Sequence, residues 1–298
     1  TGGQPVLGYF NIGPTTPTLK SSEKCALYAA SPRHSSYLIK SYALYAEVGD
    51  VKGLVNLSNV KEIIQQDFSR ADGDGYIVLE PRVLHAADYG VPQSRERVIF
   101  IGIRKSALTP AAREALMRDV IPDEYVPYPS PSHAYHIKNK GLMPPQTVGG
   151  MFAGLKEPED SDDPAQRVYS KAKFMGTHCQ GQTEVDVNGI GPTIRAEHHG
   201  NIEYRRLSKE HGGIIDKELK KGLKERRLTP RECALIQTFP LDYEFVIPHE
   251  ENKQRYILSP SAAYKIIGNA VPPLLAYHIG KRIENLWDLY FEPDEVII

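Results

Sequence analysis

The sequence predicts an α/β fold in which a region of different composition separates two regular regions. Strand and helix patterns alternate up to about residue 105, and regular helical patterns return from residue 226. Between them, residues 106–225 are rich in proline and polar side chains, and only short strands are expected there. Hydrophobic residues make up 41% of the 298 residues and charged residues 24%, which is typical of globular proteins. We therefore expect one α/β domain, built from 1–105 and 226–298, with 106–225 as an inserted second domain.

The first regular region contains two predicted helices and two predicted strands. Apolar residues recur at helical spacing over 37–48 and over 55–69. A strand is expected over 76–80, after a turn of alternating aspartate and glycine residues. The run 98–103 is apolar at nearly every position, which predicts a strand buried on both faces of a sheet.

The last region is predicted to be helical. Thr229 is placed as an N-cap, Pro230 in the first turn and Glu232 at the third helical position, a pattern that predicts a capping box. A final helix is expected to begin at the Pro272-Pro273 pair. Its predicted apolar face consists of Leu274, Tyr277, Ile279, Ile283, Leu286 and Leu289.

Charge is balanced over the whole chain and uneven within it. The net charge is −1, so strong attraction of the whole chain to nucleic acid is not expected. An acidic run over 157–163 indicates a solvated loop. Residues 195–231 hold eleven lysines or arginines against six acidic residues, an excess of five. Such a run indicates either a solvated surface or a local phosphate-binding patch.

Composition also excludes some classes of protein. No apolar stretch approaches the roughly 20 residues of a membrane helix, and no signal peptide is visible. The three cysteines cannot form a disulfide framework, and no two have zinc-like spacing. The adjacent His198 and His199 would face opposite ways in a strand, so no metal site is predicted. We expect a cytoplasmic protein that has no membrane partner.

Three segments form an ordered set of motifs. The first is Tyr89-Gly90-Val91-Pro92-Gln93-Ser94-Arg95-Glu96-Arg97, which runs into the predicted buried strand. The second extends over 227–240 and begins Arg-Leu-Thr-Pro-Arg-Glu, and the third extends over 264–273 and contains Gly-Asn-Ala-Val-Pro-Pro. In this order and spacing they resemble motifs VIII, IX and X of the DNA (cytosine-5)-methyltransferase family. The resemblance covers roughly residues 45–290.

This resemblance implies a fold and an activity. The family fold is a doubly wound, Rossmann-like sheet that binds S-adenosylmethionine, here expected to be incomplete, with an inserted, smaller, mainly β recognition domain. That domain reads double-stranded DNA, and the target cytosine is flipped out of the stack to reach the active site. Methylation of carbon 5 in a bacterial restriction-modification setting is the reaction that the family implies.

The resemblance also assigns roles to residues of this chain. Arg97 is placed at O2 of the target base, with Arg95 and Gln93 in support; the alternative is that these are polar residues preceding a strand. DNA contact is assigned to Thr193, Ile194 and Arg195. The residues assigned to the cofactor site are Asn269, Ala270 and Val271, and the alternative for them is a helix start packed on the sheet. Gly268 is expected to permit a sharp turn.

The family's nucleophile is not where the resemblance places it. The family reaction adds a cysteine thiolate to carbon 6 of cytosine, and the segment beginning Gly2-Gly3-Gln4-Pro5 has Val6 at the cysteine position. A valine side chain has no lone pair and cannot form this adduct. Gly49 occupies the position of the family's catalytic glutamate. We do not expect any of the three cysteines of the chain to substitute as nucleophile: Cys25, Cys179 and Cys233.

The glycine-rich cofactor motif of the family would precede Thr1. We therefore expect a methyltransferase homologue that is inactive as this single chain. The alternative is a non-catalytic DNA-recognition subunit that is completed by a second methyltransferase chain. Two further alternatives are an active enzyme with additional motifs upstream and an unrelated α/β protein with chance matches.

Overall fold

The computed structural model describes residues 25–30, 62–63, 65–67, 69, 75–137, 141–179, 182–196, 203–252 and 255–292. The chain divides into two compact units. The first is formed by residues up to 84, by 96–130 and by the chain from 277 onward; the second is formed by 85–95 and 131–276. The assignment of 106–225 to DNA recognition stays a prediction.

The elements are short in both units. The strands are β1 (Cys25–Ala30), β2 (Tyr76–Val78), β3 (Arg82–His85), β4 (Glu96–Arg104), β5 (Tyr204–Arg206), β6 (Arg226–Arg227), β7 (Ile247–Pro248) and β8 (Tyr256–Leu258). The helices are α1 (Pro110–Leu116), α2 (Val148–Met151), α3 (Pro164–Arg167), α4 (Asp216–Lys220), α5 (Pro230–Ile236), α6 (Pro260–Asn269), α7 (Pro273–Asn285) and α8 (Trp287–Tyr290). Mixed strand and helix content confirms the predicted α/β class. No helix in these parts of the chain is long and apolar enough to cross a membrane.

The sheet of the first unit is built around β4. Its strand order is β1-β4-β2, and β3 also pairs with β4. Both β1 and β2 run antiparallel to β4, with Cys25 opposite Ile103 and Tyr76 opposite Arg104. Residues 99–103 of β4 are all buried, which confirms the prediction of a strand covered on both faces.

The remaining predicted elements of the first region are confirmed in part. The strand expected over 76–80 ends at Val78. Residues 62–63, 65–67 and 69 are helical, in agreement with the predicted helix over 55–69. The helix predicted over 37–48 lies outside the described residues.

The apolar face predicted for the final helix is confirmed at Ile279, Ile283 and Leu286, which are buried, and is wrong at two other positions. Tyr277 is 60% exposed and Leu289 is 36% exposed. The side chains that are buried recur at steps of four, four, three and four residues, which keeps them on one side of α7 and α8. They are Leu275, Ile279, Ile283, Leu286 and Tyr290.

The second unit has a helical core. Helices α5 and α6 supply seven of the fifteen buried residues of an apolar cluster, which also includes Val148, Ile194 and Phe245. The capping box at the start of α5 is confirmed, because Thr229 and Glu232 each accept a hydrogen bond from the other's backbone N–H.

Strands are scarce in the inserted region. In the described part of 106–225 one strand is found, the three-residue β5, together with short helices and turns. The prediction of a mainly β insertion is therefore not met there. Proline has no N–H to donate to a strand ladder and its φ is fixed, so the proline-rich sequence favours turns over strands.

Candidate functional site

Arg95 joins three separate segments of the second unit. Its side chain is buried, with only 1% of the residue exposed. Nη1 donates to the carbonyl oxygen of Ile194 at 2.9 Å, and Nη2 donates to those of Gly268 and Ala270 at 2.8 Å each. One charged side chain thus connects the Gln-x-Arg motif, the Pro-Thr segment and the end of α6.

Two buried amides extend this arrangement. The Oε1 atom of Gln93 accepts from the backbone N–H of Ile194 at 3.0 Å. Its Nε2 donates to Oε1 of Gln237 at 3.1 Å, and Gln237 in turn donates to the carbonyl of Ile267 at 2.7 Å. We call Gln93, Arg95, Ile194, Gln237, Gly268 and Ala270 the Arg95 cluster. The buried Nε of Arg95 has no partner among the described residues, but both Nη atoms and the two glutamine amides are hydrogen-bonded. These bonds fix the relative positions of the segments that supply them.

Backbone contacts hold the first two segments together beside this cluster. Gln93 and Gly191 form a parallel β-bridge. The N–H of Ser94 donates to Gly191 O at 2.8 Å, and the N–H of Gly191 donates to Pro92 O at 2.9 Å. The hydroxyl of Thr193 donates to the carbonyl of Ser94. The Pro-Thr segment is therefore anchored by its backbone to the motif that precedes β4.

Gly268 permits a close approach of two backbones. A Cβ atom at this position would lie 2.2 Å from the carbonyl carbon of Arg195 and 2.3 Å from the nitrogen of Ala196. The expectation that Gly268 permits a sharp turn is wrong, since α6 continues through it to Asn269. The residue is a glycine because any side chain would collide with the 195–196 backbone.

Arg97 belongs to the first unit and lies on β4. The residue is buried, and its Nη1 donates to the carbonyl of Glu96 at 2.7 Å. Burial lowers the pKa of Arg97 to about 10, because the surroundings solvate its charge poorly.

Predicted cofactor residues differ in their surroundings. Asn269 is exposed, while Ala270 and Val271 are half-buried. The carbonyl of Ala270 is already engaged by Arg95. Of the three residues, Asn269 therefore presents the side chain that is most accessible to a ligand. Cofactor binding by this group stays a prediction.

The three predicted DNA-contacting residues differ in burial. Ile194 is fully buried in the apolar cluster of the second unit, so its side chain packs the core. Thr193 and Arg195 are half-buried. DNA contact by Thr193 and Arg195 stays a prediction. The side chain of Ile194 instead anchors the Pro-Thr segment to the apolar cluster of the second unit.

The residues predicted at or near the nucleophile position differ in how much of them the structure describes. Val6, Gly49 and the adjacent pair of histidines lie outside the described residues, and Cys25 is described only as part of the backbone of β1. Cys233 is fully buried in α5, and burial raises the pKa of its thiol well above the usual value. It is therefore an inert core residue, as the sequence predicts. Cys179 is half-buried.

The basic run of residues 195–231 is only partly a surface. Five of its arginines are buried: Arg205, Arg206, Arg226, Arg227 and Arg231. Glu157 bridges two of them, with 2.7 Å to Nη2 of Arg206 and 3.0 Å to Nε of Arg226. The acidic run that was expected to be a solvated loop therefore supplies counter-charges to the basic run. Lys217, Lys221 and Lys224 remain exposed.

The pKa of Glu157 reflects these contacts. Burial by itself would raise it, but the hydrogen bonds and charges of Arg206 and Arg226 outweigh burial and lower it to about 2. The pKa of Glu218 is lowered for the same reason by Arg205 and Arg206, against the effect of burial. Both carboxylates are ionised at neutral pH and stabilise the buried arginines.

Sequence reasoning missed two groups of residues. Gln237 belongs to the second motif, but only the fold shows that its amide links Gln93 to α6. The second group is His85, Asp88 and His136, whose possible ligand atoms all lie within 4.8 Å of one another. The spacing of His85 and Asp88 is visible in the sequence, whereas His136 is 48 residues further along the chain.

Residues 49–285 match the family model described as C-5 cytosine-specific DNA methylase. The match covers well over half of the chain, and the chain belongs to this family. Each of its three motif segments contributes to the Arg95 cluster: Gln93 and Arg95 come from the first, Gln237 from the second, and Gly268 and Ala270 from the third. The recognised resemblance to DNA (cytosine-5)-methyltransferases is thereby confirmed.

Two similar proteins come from bacteria. The chain is 30% identical over 300 residues to the type II methyltransferase M.BsuRI of Bacillus subtilis, an alignment that covers 98% of this chain and 59% of that protein. It is 30% identical over 298 residues to the type II methyltransferase M.BspRI of Lysinibacillus sphaericus, covering 95% of this chain and 59% of the relative. The chain thus spans about three fifths of the length of these relatives.

A solved structure is also similar. The crystal structure of the S. pombe Dnmt2 methyltransferase aligns with 89% of this chain and 67% of its own, at 10% identity and a TM-score of 0.46.

Proposed function

We propose that this chain carries the base-stabilising and DNA-recognition part of a cytosine-5 DNA methyltransferase and transfers no methyl group by itself. The observation that carries the first half is the Arg95 cluster. Its hydrogen bonds join the segments that resemble motif VIII, the recognition element and motif X. Such an arrangement of buried polar groups supports an intact framework around a base-binding site.

The second half rests on the nucleophile position. Attack on carbon 6 of cytosine needs a thiolate, and Val6 occupies the corresponding position. Cys233 offers no substitute, since its thiol is buried and its pKa is raised. Gly49 likewise has no carboxylate to offer at the N3 edge of the base. Without these groups the ring is not activated for methyl transfer.

Arg97 retains a role that does not need a nucleophile. A guanidinium that is poorly solvated interacts more strongly with a neighbouring oxygen than one in water does. We assign it to O2 of a flipped cytosine, where it donates hydrogen bonds and stabilises negative charge on the oxygen. The lowered pKa of Arg97, caused by burial, supports an electrostatically sensitive position, and the group stays protonated at neutral pH.

The family cofactor is S-adenosylmethionine, which supplies the methyl group when it is bound. The exposed side-chain amide of Asn269 fits a polar contact with such a ligand. Arg95 holds the carbonyl of Ala270, and so it orients the start of the segment that leads into α7. The residues of this chain thus contribute one wall of a cofactor site.

DNA binding is assigned to the surface of the second unit. The exposed Lys217, Lys221 and Lys224 lie on and just beyond α4, and lysines contact phosphate without reading sequence. Thr193 and Arg195 are the residues assigned to contact with double-stranded DNA within the recognition segment. Because phosphate contacts release counterions, affinity is expected to fall steeply as salt rises.

The alternative is a non-catalytic recognition subunit that is completed by a second chain. Retention of the Arg95 cluster together with Val6 at the nucleophile position favours it, because recognition could be maintained while a partner supplies the thiol. An adjacent reading frame that encodes the Pro-Cys and glycine-rich motifs would identify the partner. Methyl transfer by the mixture, with none by either chain alone, distinguishes this alternative.

The test of the proposal is methyl transfer from labelled S-adenosylmethionine to duplex DNA of mixed sequence. We expect no incorporation above a no-protein control, and the same result for Val6→Ala. Binding of the same DNA is measured in parallel by fluorescence anisotropy, so that absence of activity is separated from absence of binding. Incorporation by the purified chain would overturn the inactive assignment, and absence of binding at low salt would overturn the recognition assignment.

The lysine assignment has its own test. Replacing Lys217, Lys221 and Lys224 together with glutamine is expected to reduce the slope of log affinity against log salt by about 2 to 3, because each phosphate contact contributes about 0.9. The control is Lys281→Gln, an exposed lysine already paired with Glu284 at 2.7 Å. An unchanged slope in the triple variant would remove these lysines from the DNA interface.

A further inference from the structure

The cluster of His85, Asp88 and His136 lies outside the Arg95 cluster. His85 and Asp88 are buried, while the side chain of His136 is about half exposed. A possible ligand atom from each residue lies within 4.8 Å of the other two. Two imidazoles and a carboxylate are a donor set typical of zinc and related transition-metal ions.

Local structure explains why two of these side chains share one side. Residues Ala86–Tyr89 form a 3-10 helix with His85 as its N-cap. Side chains three residues apart are eclipsed in a 3-10 helix, so Asp88 projects on the same side as the capping histidine. The Nδ1 atom of His85 accepts a long bond of 3.3 Å from the N–H of Ala87. A bond of this length is readily exchanged for a stronger one.

The third side chain, His136, lies on a loop whose backbone is hydrogen-bonded to Asp88. The N–H groups of Ser132 and His133 both donate to the carbonyl of Asp88 at 2.9 Å. The N–H of His136 donates to Oδ1 of Asp88 at 2.8 Å, and its ring Nδ1 lies 3.1 Å from Oδ2. Donor atoms around a tetrahedral ion with bonds near 2.0–2.1 Å are separated by roughly 3.3 Å. The imidazole–carboxylate pair is therefore already at the spacing that two metal ligands require.

Neighbouring rings hold both imidazoles in place. Tyr135 stacks on His85 with ring centroids 4.9 Å apart and meets the ring of His136 edge-on at 4.7 Å. The two imidazole rings are themselves 4.2 Å apart at a steep angle. Ordered rings lose little conformational freedom when they bind an ion, and the partial exposure of His136 provides an entry path and a coordination position for water.

We propose that His85, Asp88 and His136 bind one divalent transition-metal ion of the zinc type. The ion takes the place of a proton between the imidazole of His136 and the carboxylate of Asp88, and the proton is released to solvent. It links the 3-10 helix that leads into the Gln-x-Arg motif to the 132–136 loop. This site has a structural role, and it does not depend on methyl transfer.

The test uses the full chain, stripped with a chelator and free of any histidine tag. Titration with Co²⁺, followed by its visible absorption, and with Zn²⁺, followed by calorimetry, is expected to show one ion per chain. His136→Ala is expected to weaken binding at least about tenfold, since removal of even an outer-shell partner costs about 10- to 100-fold. His249→Ala, which removes an exposed histidine far along the chain, is the matched control and should bind as the parent does.

Thermal unfolding gives a second readout. Zn²⁺ should raise the Tm of the parent chain and of the His249→Ala variant, and should raise the Tm of His136→Ala by less at the same ion concentration. His136 is half exposed, so its replacement is compatible with folding, which circular dichroism checks. Equal affinity in the parent and in His136→Ala, or no stoichiometric binding by the parent at micromolar ion concentrations, would overturn the proposal.

Discussion

Replacing Arg95 with lysine tests whether the Arg95 cluster holds the second unit together. The guanidinium donates to three carbonyl oxygens from two directions, at 2.9, 2.8 and 2.8 Å. A lysine ammonium is a single point of donation and cannot reach Ile194 O and the pair at the end of α6 at the same time. At least one hydrogen bond to a charged group is lost, and one or two such bonds correspond to about 2 to 5 kcal/mol.

The measurement is urea unfolding followed by far-ultraviolet circular dichroism, with hydrogen exchange at the amide of Ile194. The amide of Ile194 donates to Gln93, so its protection from hydrogen exchange should fall in Arg95→Lys, where the cluster is weakened. The matched control is Arg255→Lys, which replaces an exposed arginine in the same unit and should change the unfolding free energy by less than about 0.5 kcal/mol. Equal stability of the two variants, with Ile194 still protected, would refute the reasoning.

Two further substitutions follow from the same unit. Gly268→Ala places a Cβ against the backbone of Arg195 and should lower the free energy of unfolding by about 1 to 3 kcal/mol. The control Gly150→Ala should be nearly neutral, because the nearest atom to its added Cβ lies at 3.6 Å. Equal denaturant midpoints for the two variants would contradict this. The pKa of Glu157 in the folded chain is about 2, below the reference value of 4.5. Its ion pairs therefore stabilise the fold fully above pH 4.5. This contribution to the free energy of unfolding, about 3 kcal/mol, is lost as the pH falls toward 2. Glu157→Gln should therefore be less stable at neutral pH and less sensitive to acid, while the exposed Glu159→Gln should follow the parent; identical acid-unfolding curves for all three would rule the assignment out.

The sequence was sufficient where local patterns act alone. The capping box at Thr229 and the buried strand after the Gln-x-Arg motif depend on short-range spacing, and both were confirmed. The ordered motifs identified the family, because three short segments at characteristic positions are a specific signal.

The sequence was insufficient where distant segments meet. The acidic run and the basic run were each expected to face solvent, but Glu157 pairs with Arg206 across 49 residues. Gly268 was expected to form a turn, and its actual constraint is the approach of a backbone more than 70 residues earlier in the chain. No local pattern encodes either contact. The predicted face of the final helix holds at Ile279, Ile283 and Leu286 but not at Tyr277 and Leu289, because frequent apolar residues allow more than one apolar stripe on the same helix.

The claim that the chain lacks a nucleophile is tested most directly by covalent trapping. Duplex DNA containing 5-fluorocytosine is incubated with the chain and S-adenosylmethionine, and the products are separated under denaturing conditions. A thiolate that has added to carbon 6 remains attached, because fluorine at carbon 5 blocks the elimination that would release it. Because the resemblance assigns Val6 to the nucleophile position, we predict DNA binding that disappears on denaturation and no covalent complex. A protein–DNA band that survives denaturation and requires one of the three cysteines would contradict the account.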